Sequence, residues 1–275
     1  MVAGTIHIDT VDPVDGQTLR PHPARIQDFL LGGKDNYAHD RQAAAALCAV
    51  APSLVPSVSA GHRFMIRAAR YLATAQGIDR YLTVGAGLPC APDLHDVVQA
   101  ARPASRVVYV DHDAAVVAHA RALLSGDDRG VVGFLRADPR AAGAVVTAPV
   151  VQEVLGGDRP VAVIVLSALH VIPDDDEAAR LIADLMAPWP PGSAVAICAA
   201  WSGGAPAQAA AIGRIGAEQG LPLRFRSLAE TRALLGGLEL VGPGVVPVHR
   251  WFPEDDDRRL RDHQVLLAGA IAVTN

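Results

Sequence analysis

Leu82-Thr83-Val84-Gly85-Ala86-Gly87-Leu88-Pro89, followed after a helix-sized interval by Val107-Val108-Tyr109-Val110-Asp111-His112-Asp113, is the part of the chain that decides the fold. Each stretch is a short, uninterrupted apolar run that ends abruptly in turn-forming or acidic residues. A strand exposed on one face alternates apolar and polar residues, whereas a strand covered on both faces does not. These runs therefore read as parallel strands sandwiched between helices. The pattern repeats downstream, with strands expected at Tyr81–Val84, Val107–Val110, Val131–Leu135, Val161–Leu166 and Ala194–Ala199. Helical spacing falls between them, near Asp93–Ala101, Ala114–Leu124, Ala141–Leu155 and Asp175–Met186. Alternation of this kind is the βαβ signature of a Rossmann-like α/β sheet.

Outward from this core, the N-terminal third is helical. Residues 1–22 read as a flexible arm and residues 23–76 as a helical lid segment. The lid comprises a helix from Pro23 that stops at Gly32-Gly33, then helices over Asp40–Val50 and Ser57–Ala75. Residues 77–275 form the α/β domain. Its tail carries helices near Ala205–Gln219 and Leu228–Leu235 and an apolar run at Leu238–Val241, then strands expected at Val245–Trp251 and Gln264–Val273, with Glu254–Arg261 as a charged connector. The last two strands suit an antiparallel closing pair.

Composition narrows the function. The 275 residues are 51% hydrophobic with a net charge of −5, and no basic stripe marks a nucleic-acid surface. Lys34 is the single lysine among 24 basic residues, a bias that reads as GC-rich coding. Cys48, Cys90 and Cys198 match no zinc or disulfide spacing, so no metal is expected. The start lacks the apolar core of a signal peptide, and the longest apolar runs are too short to span a bilayer. A cytoplasmic protein without membrane or nucleic-acid partners is expected, acting on a small molecule; the oligomeric state is left open, a homodimer included.

In an open α/β sheet, ligands bind beyond the carboxyl ends of the strands. Those ends are Gly85-Ala86-Gly87, Asp111-His112-Asp113, Ala137-Asp138-Pro139, Ser167-Ala168-Leu169-His170 and Trp201-Ser202-Gly203-Gly204. Glycines in the first turn allow a sharp bend and close approach of a ligand, with backbone amides near a helix start. Asp111 is placed to accept from ribose hydroxyls, and Asp138 from an adenine amino group. Either aspartate alone would more often be a turn or cap residue. Together with the glycine turn they favour an adenosine site. The third glycine of a dinucleotide fingerprint is missing, since Cys90 stands there, which argues against a nicotinamide-dependent oxidoreductase. His170 is the candidate general base, weighed against a buried structural histidine. Asp174 with Glu177 reads as a helix cap. His112, Trp201 and His249 remain candidates of the same kind.

One longer motif carries a resemblance. Arg25-Ile26-Gln27-Asp28-Phe29-Leu30-Leu31-Gly32-Gly33-Lys34-Asp35-Asn36-Tyr37, with Asp40-Arg41, resembles the opening signature of an actinobacterial S-adenosylmethionine-dependent methyltransferase family long filed as a domain of unknown function. The likeness continues through Val84–Pro89, Leu94–Gln99, Val108–Asp113, Ala168–Asp176 and Pro243–Trp251, nearly the whole chain after residue 20. It implies a class I methyltransferase fold with a seven-stranded, mostly parallel sheet, an antiparallel last strand and an N-terminal helical lid. It implies S-adenosylmethionine at Gly85, Gly87, Asp111 and Asp138, with Lys34, Asn36 and Tyr37 closing over it; Ala86, His112 and Ser167, at the same strand ends, are further candidate cofactor contacts. Phe29, Trp201 and His249 would border the substrate. The expected reaction is methyl transfer to a small molecule. Thr83 stands where the family carries an aspartate that helps to hold the methionine ammonium, Cys90 replaces a threonine, and Pro139 interrupts an acidic loop. The alternative these departures raise is a non-methylating member that keeps the adenosyl pocket for cyclisation, rearrangement or sensing.

Overall fold

A computed structural model describes residues 20–126, 129–166 and 168–275. The arm expected over residues 1–22 therefore lies outside the described residues except for its last three. Three helices come first: α1 (Pro23–Leu30), α2 (Ala38–Val50) and α3 (Leu54–Thr74). Pro23 opens α1, where its missing N–H costs nothing. The α/β part follows as β1 (Arg80–Val84), α4 (Leu94–Ala101), β2 (Arg106–Asp111), α5 (Ala114–Leu123), β3 (Val131–Arg136), α6 (Ala142–Thr147), α7 (Pro149–Leu155), β4 (Ala162–Val165), α8 (Asp175–Met186), β5 (Ala194–Ala200), α9 (Pro206–Glu218) and α10 (Leu228–Ala233). The short strands β6 (Glu239–Leu240) and β7 (Val246–Pro247), the one-turn helix α11 (Asp255–Arg258) and β8 (Leu267–Val273) complete it.

The sheet runs β3-β2-β1-β4-β5-β8-β6, with β7 also paired to β8. β1 to β5 are mutually parallel, and β8 lies antiparallel to β5. The mostly parallel sheet with an antiparallel last strand is as expected; the short β7 makes the strand count eight rather than seven. Strand order reverses between β1 and β4, which places a crevice at their carboxyl ends.

The apolar runs divide between two faces. Leu82, Val84, Val108, Val110, Val163, Val165, Val195 and Ile197 pack with residues of α6, α7 and α8. Tyr81, Val107, Tyr109, Ile164, Ala196 and Cys198 pack with Phe64, Ala68 and Leu72 of α3 and with Leu94 and Val98 of α4. Continuous hydrophobicity is thus two interleaved faces, each covered. Among the described residues no single helix is long and apolar enough to cross a membrane.

Two expectations need correction. The helix read over Ala141–Leu155 is two helices, because Ala148 precedes a proline and takes ψ 139°, which the pre-proline position favours. The strand read over Val245–Trp251 shrinks to Val246–Pro247, followed by a 3₁₀ turn over Val248–Arg250. Pro247 has no N–H for the ladder. The carbonyls of Val248 and Trp251 instead accept from the buried Arg67 guanidinium at 2.7 and 3.0 Å.

Candidate functional site

At the end of β1 the chain turns through Gly85 and Gly87, both in the left-handed region at φ +70° and +72°. A Cβ at Gly85 would lie 3.2 Å from that of Ala168, in the loop after β4, so the two strand ends meet here. The turn's amides were expected to face a ligand, but the sharp bend lays them against β2. Gly85 and Ala86 both donate to the Val110 carbonyl, at 3.0 and 3.1 Å. Gly87 donates to Asp111 Oδ2 at 3.0 Å. The other oxygen, Oδ1, accepts from the Asp113 amide at 3.0 Å. What the turn offers a ligand is room, beside a carboxylate fixed in orientation with lone pairs to spare.

The N-terminal helices are bolted to this rim. Arg25, buried, donates through Nε to Asp40 Oδ2 at 2.9 Å and through Nη1 to Asp113 Oδ2 at 3.2 Å. Asp40 also accepts from the amides of His22 and Tyr37, and Asp113 caps α5 by accepting from Ala115 and Val116. The α1–α2 loop closes around Asp28, which accepts from the Asp35 amide at 3.0 Å and Asn36 Nδ2 at 2.8 Å. Gly33 is required because any Cβ there would run into the Asp28 carboxylate.

Beneath α1–α3 and alongside the glycine turn lies a cavity of about 190 Å³. Its floor is Thr83, Tyr109, Ile164 and Cys198 on one face of the sheet; Ile26, Leu47, Met65, Leu221, Phe225 and Leu266 wall it. Gly85, Ala86, Cys90, Asp93 and His170 also border it. Among the described residues, the lining holds no lysine or arginine. Burial pushes the Cys198 thiol up to about 12 and raises that of Cys90, so neither is a thiolate nucleophile near neutrality.

His170 sits in the 3₁₀ turn Leu169–Val171 after β4. The fully buried Arg226 holds this turn by donating to the carbonyls of Leu169 at 2.6 Å and Ile172 at 2.8 Å, and pairs with Asp175 at 2.8 Å. The Arg224 amide takes the His170 carbonyl at 2.7 Å. His170 Nδ1 is buried without a hydrogen-bond partner among the described residues. Burial, with Arg226 nearby, holds its imidazole down to about 4, so it is neutral at pH 7. Asp174 caps α8, accepting from the Glu177 amide at 2.7 Å.

Comparison with known proteins fixes the family. The profile described as S-adenosyl methyltransferase matches residues 10–275. The chain belongs to this family. A DUF574-family protein from Streptomyces avermitilis is 35% identical, with a TM-score of 0.91 over 94% of this chain and 99% of that one. A candidate methyltransferase from Thermobifida fusca is 33% identical, with a TM-score of 0.86 over 97% and 100%. No curated protein matches the sequence. As a member of the S-adenosyl methyltransferase family, the chain is a methyltransferase with S-adenosylmethionine as its cofactor.

The residues present fit that cofactor. Gly85 lets the turn pack against Ala168, Gly87 leaves open space where a Cβ would stand, and the Asp111 carboxylate is already oriented beside that space. Asp111 and the glycine turn would hold the adenosyl group. The remaining sequence candidates are distributed as follows. Asp138 is exposed two residues beyond Arg136, which stands opposite Asp111 in the β2–β3 register, and accepts from the Arg140 amide. His112 is exposed, with Nδ1 3.5 Å from Asp111. Ser167 lies outside the described residues. Lys34, Asn36 and Tyr37 border the rim without lining the cavity: Lys34 is exposed, Asn36 is spent on Asp28, and the Tyr37 ring stands 5.4 Å from the Arg25 guanidinium. Phe29, Trp201 and His249 also lie outside the lining; Trp201 bridges to Arg226, and His249 faces Asp262 at 3.3 Å.

Sequence reasoning missed the cavity wall and the two buried arginines that fasten the site, Arg25 and Arg226. Leucines from α2, the α9–α10 connection and the start of β8 look like ordinary core in one dimension. Arg25 and Arg226 were hidden by the general arginine bias. Asp93, read only as a helix start, also borders the cavity.

Proposed function

We propose that this chain methylates a small, uncharged and largely apolar acceptor that occupies the cavity beside the glycine turn. When bound, S-adenosylmethionine supplies a methyl on a cationic sulfur: the S–C bond breaks with its electrons left on sulfur, the acceptor's heteroatom takes the carbon, and the acceptor's proton departs. The chain's own contribution is alignment and exclusion of water. The lid, fastened through Arg25, roofs the site, and the wall of leucines, Met65 and Phe225 favours apolar matter. His170 is proposed as the group that orients the acceptor. Its neutral Nδ1 hydrogen-bonds a hydroxyl or amine of the acceptor. Full proton abstraction by His170 would place a second cation beside Arg226, so the proton is released to water as the methylated product leaves.

The observation that carries this reading is the continuity of the Gly85–Ala86 turn with an apolar, cation-free cavity. The test is transfer of radiolabelled methyl from S-adenosylmethionine to a panel of hydrophobic phenols and amines set beside anionic and polycationic acceptors. Label in the extract of apolar products is expected. Label only in charged acceptors would overturn the acceptor class. Binding of the cofactor without transfer to any of them would favour the non-methylating alternative raised by Thr83.

A further inference from the structure

S-adenosylmethionine carries a zwitterionic amino-acid group at the end opposite its adenine, and its ammonium, taken out of water, needs hydrogen-bond acceptors beyond the neighbouring α-carboxylate, a protein carboxylate being the strongest. Thr83, on the floor beside the glycine turn, supplies a hydroxyl and no charge. Among the described residues, Asp93 is the one acid lining the cavity. It precedes α4, three residues after Cys90, and Oδ1 accepts from the Cys90 amide at 3.3 Å. It forms no ion pair among the described residues. The nearby imidazoles are engaged elsewhere: His62 Nε2 with the Cys90 carbonyl at 3.1 Å, and His95 with Tyr109 at 2.9 Å and Asp96 at 3.3 Å.

Resting on the methyltransferase reading above, we propose that Asp93 is the counter-charge for the cofactor's ammonium, supplying from the start of α4 the negative charge that Thr83 does not. Burial raises the Asp93 carboxyl despite its amide partner, so its charged form is under-compensated until a cation arrives. Asp93 is also well placed in reach. The Cys90–Asp93 segment leads from the glycine turn to α4, so a ligand seated by Asp111 and extending into the cavity passes both Thr83 and Asp93.

The test compares two ligands with the same adenosyl group. S-adenosylhomocysteine keeps the amino-acid end; 5′-methylthioadenosine lacks it. Calorimetry on the full chain and on Asp93→Asn, whose Oδ1 still accepts from the Cys90 amide, gives the readout. Loss of a charged hydrogen bond predicts about 10- to 100-fold weaker S-adenosylhomocysteine binding, with methylthioadenosine unchanged within about twofold. Adding Thr83→Asp to Asp93→Asn is expected to restore most of the loss. Equal affinity of Asp93→Asn and the native chain for S-adenosylhomocysteine would overturn the proposal, as would parallel losses for both ligands. Failure of the native chain to bind either ligand would overturn the methyltransferase reading itself, and this one with it.

Discussion

The two ends of the site are built in opposite ways. At the β1–β2 end the polar groups satisfy one another: three turn amides lie on β2, Asp111 accepts from two of the chain's own N–H groups, and Asp113 is shared by Arg25 and two helix amides. At the β4–β5 end the wall is hydrocarbon, and His170 Nδ1 has no partner among the described residues. The first end is fixed before any ligand arrives, as suits an invariant adenosyl group. The second leaves one buried polar atom for the ligand to satisfy, which suits a site defined by shape. Under each end a buried arginine does the fastening.

Removing the first fastener is the severest way to break this arrangement. Arg25→Ala leaves the carboxylates of Asp40 and Asp113 buried without their cation, and a loss of about 3–5 kcal/mol in unfolding free energy is expected by denaturant titration. A loss below about 1 kcal/mol would mean that the lid is not anchored there. Asp111→Asn keeps the acceptor for one amide but removes the charge. It is expected to weaken S-adenosylhomocysteine by about 1.5–3 kcal/mol in calorimetry and to lower unfolding free energy by about 1–3 kcal/mol, because the new amide nitrogen faces a backbone N–H that loses its acceptor. Gly85→Ala strains a residue at φ +70° and presses on Ala168. It should cost about 1–2 kcal/mol of stability.

The smallest effect belongs to the opposite end. His170→Gln, which replaces a neutral hydrogen-bonding group with another, is expected to cut kcat/KM by about tenfold or less. A loss above about a thousandfold would restore His170 as a full general base. Its folded value near 4 lies below the ordinary 6.5. Its contribution to stability is therefore fully present above pH 6.5 and is lost as pH falls toward 4. Denaturation at pH 7.5 and 4.5 should show a smaller acid-side loss in His170→Gln than in the native chain.

Which parts were legible in the sequence follows the same division. The β1–β2 end is local: a glycine turn, an acid one helix and one strand later, and strands marked by the apolar runs. Asp111 could be named from spacing alone. The cavity is non-local, assembled from α2, α3, the α9–α10 connection and β8, whose leucines have the period of any core helix or strand. Trp201 and His249, each next to a strand end in one dimension, are used otherwise: the Trp201 backbone pairs with Arg226, and the His249 imidazole lies 3.3 Å from Asp262. Pro149 and Pro247 were visible, yet their consequences depended on Arg67 and on the pre-proline backbone, neither of which a hydrophobic period reports.

The most direct test of the whole is a crystal structure with S-adenosylhomocysteine. Adenosyl density over Gly85–Gly87, with ribose hydroxyls on Asp111 and the homocysteine ammonium beside Asp93 at the border of the cavity, is the expected result. A ligand seated anywhere else, with Asp111 still contacted only by the Gly87 and Asp113 amides, would contradict it.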